Sequence, residues 1–451
     1  MEAVALYEQG FGDDDLLNRK RSGERLSELL ERVEDPVVVA LDGPWGTGKS
    51  FFLQRWVGAH TMQNGGAATT VYFDAFAHDY LEDPLIALTG AVGSQLETDR
   101  TKGIWENAKR LAFQVARPAF RMAMAVGTAG ATEVAGPIMD AAIESGAKSL
   151  ESAADDFWKR EEGRKAAMGE FRACLAALTS PSTEGAGDEK PLVVVVDELD
   201  RCRPDYALTI LEVIKHFFAV PRVHFVLGTS LDALEKSVRA RYGPDVDAAS
   251  YLKRFITLKM QLADTLDDRG IQRAETEYFV KASRAMGIEQ ALIDEMKTHL
   301  RLAGKSAGIT LRDVEKVMTS LVLLPRRKEM GSVLSGWRSL ICSMALLKVM
   351  KPDFARAAIE GSASLKEVDQ FYGFTPSMLG QEDAEDRSEY NHDAFVIRRF
   401  WEFALSGGRQ PEAERDMVAR QFDPFGSIRK TDILAAIERD FFRDFDLVSE
   451  A

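Results

Sequence analysis

The chain has 451 residues, of which 45% are hydrophobic and 28% charged, enough to bury two or three domain cores. Its formal net charge of −14 gives no electrostatic footprint for non-specific nucleic-acid binding, although a local basic face is compatible with that total. Cys174, Cys202 and Cys342 lie far apart with no CxxC pairing, and the six histidines are scattered, so neither a disulfide framework nor a zinc site is expected.

Met1 to Asp15 is acidic, unlike a secretory signal. Arg19 to Val33 has Leu26, Leu29, Leu30 and Val33 at helical spacing. The basic clusters Arg19-Lys20-Arg21 and Arg326-Arg327-Lys328 are short and lack interleaved aromatics, so solvated surface explains them as well as phosphate contacts do. Next comes Val37-Val38-Val39-Ala40-Leu41-Asp42, a buried-strand pattern, which runs straight into Gly43-Pro44-Trp45-Gly46-Thr47-Gly48-Lys49-Ser50. This is GxxxxGKS between a strand and a helix that continues through Phe51-Phe52-Leu53, and it reads as a nucleoside triphosphate site. Glycines let backbone N–H groups curl around phosphates, and the positive end of a helix starting near Lys49 points at them. Lys49 is expected to reach the β and γ phosphates, Ser50 to ligate Mg²⁺, and residues 43–51 to form the cofactor-binding loop.

A second strand is expected over Thr69 to Phe76, then a helix from Asp83-Pro84 to Leu96. The stretch from about Lys102 to Gly187 is longer than a minimal crossover needs. Its centre, Leu111 to Leu150, is rich in Ala, Gly and Met. A spanning helix needs ~20 apolar residues, and the run between Arg121 and Glu133 is shorter and only weakly hydrophobic. Close-packed small-residue helices are expected there, with peripheral membrane contact as the minority reading. A helix over Asp155 to Leu178 and a loop over Thr179 to Lys190 follow.

Leu192-Val193-Val194-Val195-Val196-Asp197-Glu198 is an apolar strand ending in two acids, a Walker B signature. Asp197 is placed for Mg²⁺ and Glu198 to orient or deprotonate water, which favours hydrolysis over phosphotransfer. Further strands are expected at 223–230 and 255–262. Alternation with helices implies a parallel sheet with the nucleotide at its carboxyl ends. Thr229 and Ser230 sit at such an end, either sensing the γ-phosphate or capping the next helix. No NKxD-type guanine-reading segment follows that fourth strand, which favours ATP. From Leu266 onward the pattern is helical, including the apolar helix Trp337 to Lys351, an acidic linker over Gln381 to Tyr390, and terminal helices at Phe395 to Ala404 and Lys430 to Phe445.

The expected organisation is a P-loop core over 1–100 and 188–265, a helical insertion over 101–187, a helical lid over 266–330 and a C-terminal helical domain over 331–451. The fold class is α/β: a parallel sheet sandwiched by helices, with a helical insertion and an all-helical C-terminal part.

With these residues in view, the chain resembles the KAP group of P-loop NTPases, within the AAA+/STAND-like class. The likeness rests on residues 43–50, Phe73-Asp74-Ala75-Phe76, Val196-Asp197-Glu198-Leu199-Asp200-Arg201-Cys202 and Tyr251-Leu252-Lys253-Arg254-Phe255-Ile256. It implies an ATPase whose bacterial members often carry transmembrane helices in the same insertion and several of which take part in phage exclusion or defence; the insertion here lacks such a span, and the widely spaced cysteines fit a reducing, cytoplasmic compartment. It also implies a cation for the transition state, with Arg312 the first candidate and Arg254 and Arg201 alternatives; an ordinary solvated helix arginine explains Arg312 equally well. This chain departs from the family in carrying Asp74 and Phe76 for the usual Asn and Trp, and Thr229-Ser230 where relatives carry an acid or amide. These readings leave three functions open: an ATP-driven switch or assembly ATPase acting as a homo-oligomer or with a partner effector, a nucleic-acid-stimulated motor or loader, and a non-hydrolysing nucleotide-bound scaffold.

Overall fold

The computed structural model describes residues 10–12, 15–62, 69–81, 83–94, 99–115, 150–180, 191–263, 273–325, 330–380, 391–406, 417–423 and 433–442. The chain divides into two compact units, Met1–Leu262 and Ala263–Ala451.

The first unit is built on five parallel strands: β1 (Val38–Asp42), β2 (Thr69–Asp74), β3 (Leu192–Asp197), β4 (Val223–Thr229) and β5 (Leu258–Gln261). Their order across the sheet is β2-β3-β4-β1-β5, so the phosphate-loop strand is inserted between β4 and β5. Its helices are α1 (Lys20–Arg32), α2 (Lys49–Met62), α3 (Pro84–Ser94), α4 (Asp99–Val115), α5 (Leu150–Thr179), α6 (Pro204–Phe217), α7 (Leu231–Tyr242) and α8 (Ala248–Leu252).

Strand periodicity sorts the core into two layers. Val193 and Val195 pack with Val39, Leu41 and the α1 and α2 side chains Leu26, Leu30, Phe52 and Trp56. The alternate residues Leu192, Val194 and Val196 face the other layer with Leu88, Trp105, Phe171 and Leu211 from α3 to α6. β3 is buried along its whole length, which explains its unbroken apolar run.

Several boundaries differ from the sequence expectation; β5 covers Leu258–Gln261 within the expected 255–262, and the helices expected over 337–351 and 395–404 run Ser335–Met350 and His392–Leu405. β2 stops at Asp74, not Phe76, because the Asp74 carboxylate accepts from Ala77 N (2.8 Å) and starts a tight turn over Phe76–His78. The helix expected from Asp155 begins at Leu150. The small-residue segment 116–149 and the expected loop 181–190 and linker 381–390 lie outside the described residues.

The second unit is helical: α9 (Ala274–Ala285), α10 (Gln290–Ala307), α11 (Leu311–Val322), α12 (Ser335–Met350), α13 (Pro352–Ile359), α14 (Leu365–Tyr372), α15 (His392–Leu405) and α16 (Ile433–Ile437). One core runs from Phe279 to Phe442 through both the expected lid and the C-terminal segment. The apolar α12 is the centre of that core, with Leu340 to Leu347 buried. Among the described residues no helix is long and apolar enough to cross a membrane.

Candidate nucleotide site

The loop of residues 43–48 joins the carboxyl end of β1 to the first turn of α2. Gly46 and Gly48 have φ of 85° and 81°, a left-handed backbone that side chains with a Cβ rarely adopt. The loop is braced from inside: Thr47 Oγ1 donates to the Pro44 carbonyl (2.9 Å), and Lys49 Nζ donates to the carbonyls of Gly43 (2.6 Å) and Pro44 (3.1 Å). Lys49 is only 8% exposed; burial lowers its pKa, while Asp200, Asp197 and Asp42 oppose that shift. An ammonium held against weak neutral acceptors is suited to exchange them for phosphate oxygens.

Arg19 is a further part of this loop that sequence reading missed. Instead of lying on solvated surface, it is buried, and its guanidinium donates to the carbonyls of Gly48 (3.1 Å) and Thr47 (2.8 Å). Asp15 fixes it by accepting from the Arg19 backbone N–H (3.0 Å). Burial pulls the Arg19 pKa down to about 10, with Asp15 opposing. The acid four residues ahead of the arginine, at a helix start, is the only local signal of this role.

β3 delivers the acids. Asp197 is 1% exposed; one oxygen accepts from the Tyr72 hydroxyl (2.8 Å) and the other from Glu198 N (2.9 Å). The Ser50 hydroxyl also bonds to it, so the expected pair of metal-ligating side chains is brought together. Burial pushes the Asp197 pKa up, the mark of a carboxylate short of positive charge. On the neighbouring strand, Gly228 leaves the space this carboxylate fills: a Cβ there would lie 2.2 Å from Asp197 Oδ1. Tyr72, itself an acceptor for Gln54 Nε2 (3.1 Å), also went unread in the sequence, where it counted only as a strand former.

Glu198 follows in a left-handed backbone conformation (φ 59°), which turns the chain out of β3 into a single tight turn over Leu199–Arg201. Its carboxylate pairs with Arg201 (Oε1 to Nη1 2.6 Å). Burial pushes the Glu198 pKa up, and Arg201 pulls it back. From the phosphate loop, the half-exposed Trp45 (53%) donates its indole N–H to Asp200 in the same turn. Asp74 stands in register beside Asp197 at the end of β2.

Behind the loop, Asp42 ties three elements together by accepting from Leu231 N (2.8 Å), Gln261 Nε2 (3.2 Å) and Lys259 Nζ (2.7 Å). At the end of β4, Ser230 is the N-cap of α7, accepting from Ala233 N, while Thr229 is fully buried with no partner for its hydroxyl. Phe51 is exposed on the first turn of α2, with the Arg55 guanidinium over its ring. Arg312 is on the first turn of α11 in the second unit, behind a Thr310–Asp313 capping box.

The site fits a Mg²⁺–nucleotide. The Ser50 hydroxyl and the Asp197 carboxylate that it bonds to are two hard oxygen donors of the kind that would hold Mg²⁺ beside nucleotide phosphates.

Residues 19–327 match the profile of the KAP family P-loop domain. No curated protein matches the sequence. Among solved structures, the chain is similar to the Aeropyrum pernix ORC2 protein in its ADPNP–ADP complexes at 12% identity and a TM-score of 0.37, over 96% of this chain and 98% of that one. It is also similar to a single-substitution form of Thermotoga maritima RuvB at 12% identity and a TM-score of 0.30, over 83% and 88% of the two chains. The family match spans more than half of the sequence and includes the phosphate loop and both acids, so the chain belongs to the KAP family of P-loop NTPases.

Proposed function

We propose that this protein hydrolyses Mg·ATP and uses nucleotide state to switch or assemble. The observation that carries the reading is the convergence at one sheet edge of the Gly46–Gly48 loop, the Ser50–Asp197 pair and Glu198. In this reading the loop N–H groups and Lys49 bind the phosphates, and Ser50 and Asp197 hold Mg²⁺. Mg²⁺ held there would supply positive charge against the phosphates. Glu198 takes the proton of the attacking water through Oε2 while Arg201 occupies Oε1. Arg312 is the candidate cation for the transition state, supplied by a lid or by a second copy of the chain. The family resemblance supports a bacterial setting in antiviral defence, the widely spaced cysteines a reducing, cytoplasmic compartment, and an effector partner would carry any further chemistry.

Phosphate release from Mg·ATP by the wild type beside Glu198→Gln, each with and without DNA, tests the reading. Turnover that falls roughly 10²–10⁴-fold in the variant is the expected result for loss of a general base. Equal turnover in both proteins would refute the assignment of Glu198, and stimulation by DNA would favour the motor class.

A further inference from the structure

Arg201 lies in the short turn after β3, three residues beyond Glu198, and the two are joined twice. Arg201 N donates to the Glu198 carbonyl (3.0 Å), and its guanidinium holds Glu198 Oε1 at 2.6 Å. The Glu198 side chain is 18% exposed and that of Arg201 33%, so the pair is partly shielded from water. The turn has little freedom. Its first residue sits at φ 59°, the Cys202 thiol leans on the same Glu198 carbonyl (3.7 Å), and Arg203 is locked by its own backbone and side chain to Asp79 (2.9 and 2.8 Å). Between the two paired residues, Asp200 accepts from the indole of Trp45 in the phosphate loop. A free glutamate side chain samples many rotamers, and an attacking water is productive only over a narrow range of positions.

We propose that Arg201 is a positioning residue for Glu198: it fixes one carboxylate oxygen in cis and so aims the other at the water, and the Trp45–Asp200 contact fixes this turn to the phosphate loop. This assignment removes Arg201 from the residues available as a transition-state cation in trans. It rests on the hydrolytic reading above. A guanidinium suits the task because its planar fork holds a carboxylate in a fixed orientation, which an ammonium does less well.

The test is steady-state ATP hydrolysis by the full chain for wild type, Arg201→Gln, Arg201→Lys, Glu198→Gln and the Glu198→Gln/Arg201→Gln double variant, with ADP affinity measured for each. The expected result is a roughly 10- to 100-fold fall in kcat for Arg201→Gln, the cost of a misplaced catalytic group, with KM and ADP affinity within about two-fold of wild type. Arg201→Lys recovers part of that loss, and the double variant is no slower than Glu198→Gln alone. A turn that has merely collapsed would instead weaken ADP binding and resist rescue by lysine. That result overturns the proposal, as does an unchanged kcat in Arg201→Gln or a many-fold rise in KM that persists in the Glu198→Gln background, which would make Arg201 a phosphate ligand. A wild type with no Glu198-dependent turnover sinks the hydrolytic reading itself, and Arg201 with it. Glu198-dependent turnover alongside an indifferent Arg201→Gln sinks Arg201 alone.

Discussion

Gly228→Ala should damage both the stability of the first unit and its metal dependence. A methyl group at this position in β4 would stand 2.2 Å from Asp197 Oδ1 and 2.5 Å from Leu53 Cδ1, where ordinary contacts begin about 1 Å further out. Neither neighbour can yield cheaply. Leu53 is fully buried in the layer beneath α2, and the Asp197 carboxylate is pinned at both oxygens, by Glu198 N at 2.9 Å and Tyr72 at 2.8 Å. Overpacking of this kind costs ~1–3 kcal/mol, and breaking one charge-assisted hydrogen bond adds ~1.5–3 kcal/mol, so roughly 4 kcal/mol is expected. For a unit of this size that lowers Tm by about 8–16 °C. Gly169→Ala is the matched control: Gly169 is on the exposed face of α5 with nothing within 4 Å of an added Cβ, so the same change there should stabilise by ~0.5–1 kcal/mol. The assay is calorimetry on both variants, together with binding of a non-hydrolysable ATP analogue with and without Mg²⁺. Displacement of Asp197 should remove most of the Mg²⁺ enhancement of binding in Gly228→Ala and none in Gly169→Ala. A Gly228→Ala protein that melts within a degree of wild type and keeps its Mg²⁺ dependence would refute the steric argument.

Two other perturbations probe the surroundings of the loop. Arg19→Met deletes the bonds to the Thr47 and Gly48 carbonyls, and nucleotide affinity should fall about ten-fold by titration calorimetry, one to two hydrogen bonds' worth of loop order; unchanged affinity would make Arg19 a bystander. His224, fully buried in β4 and accepting from Val37 N (3.3 Å), has its pKa held down to about 4 by desolvation. With the folded value below the unfolded one of ~6.5, the unfolded chain binds more protons between these limits, so stability falls as pH drops from 6.5 towards 4, by up to about 3 kcal/mol from this residue. His224→Asn keeps an acceptor for Val37, and denaturant melts across that pH range should show a shallower acid loss; an unaltered slope would contradict the assignment.

What could be read in advance follows from where each constraint is written. The inner strands β1, β3 and β4 were legible because a parallel sheet covered on both faces demands near-unbroken apolar, β-branched runs, as in Leu192–Asp197. Their order was not, since the placing of β1 between β4 and β5 depends on pairings such as Val39 with Val226 and Leu258 that no local pattern encodes. The glycines and acids of the site were legible for a similar reason: left-handed loop backbone needs glycine, and metal and water chemistry needs carboxylates at a strand end. The supporting residues were hidden by distance. Arg19 meets its loop carbonyls 28 and 29 positions away, and Tyr72 meets Asp197 across 125. Gly228 looked like an ordinary strand residue because its contribution is an absent side chain.

The site also carries an electrostatic constraint on how nucleotide must enter. Asp42, Asp74, Asp197, Glu198 and Asp200 stand at one sheet edge, and three nearby cations are already engaged by the protein itself: Lys49 by loop carbonyls, Arg19 by the loop's far side, Arg201 by Glu198. Of these, Lys49 alone can transfer to phosphate without leaving a buried charge or an aimed carboxylate unsupported, since its present partners are neutral carbonyls. Under the proposed function a polyanion would bring positive charge with it as Mg²⁺, beside the buried Asp197 carboxylate and the Ser50 hydroxyl that bonds to it. At the end of β4, the buried Thr229 offers one hydroxyl. Under the proposed function that combination favours tight Mg²⁺-dependent holding with weak polarisation of water, the kinetic profile of a switch that dwells in its ATP state.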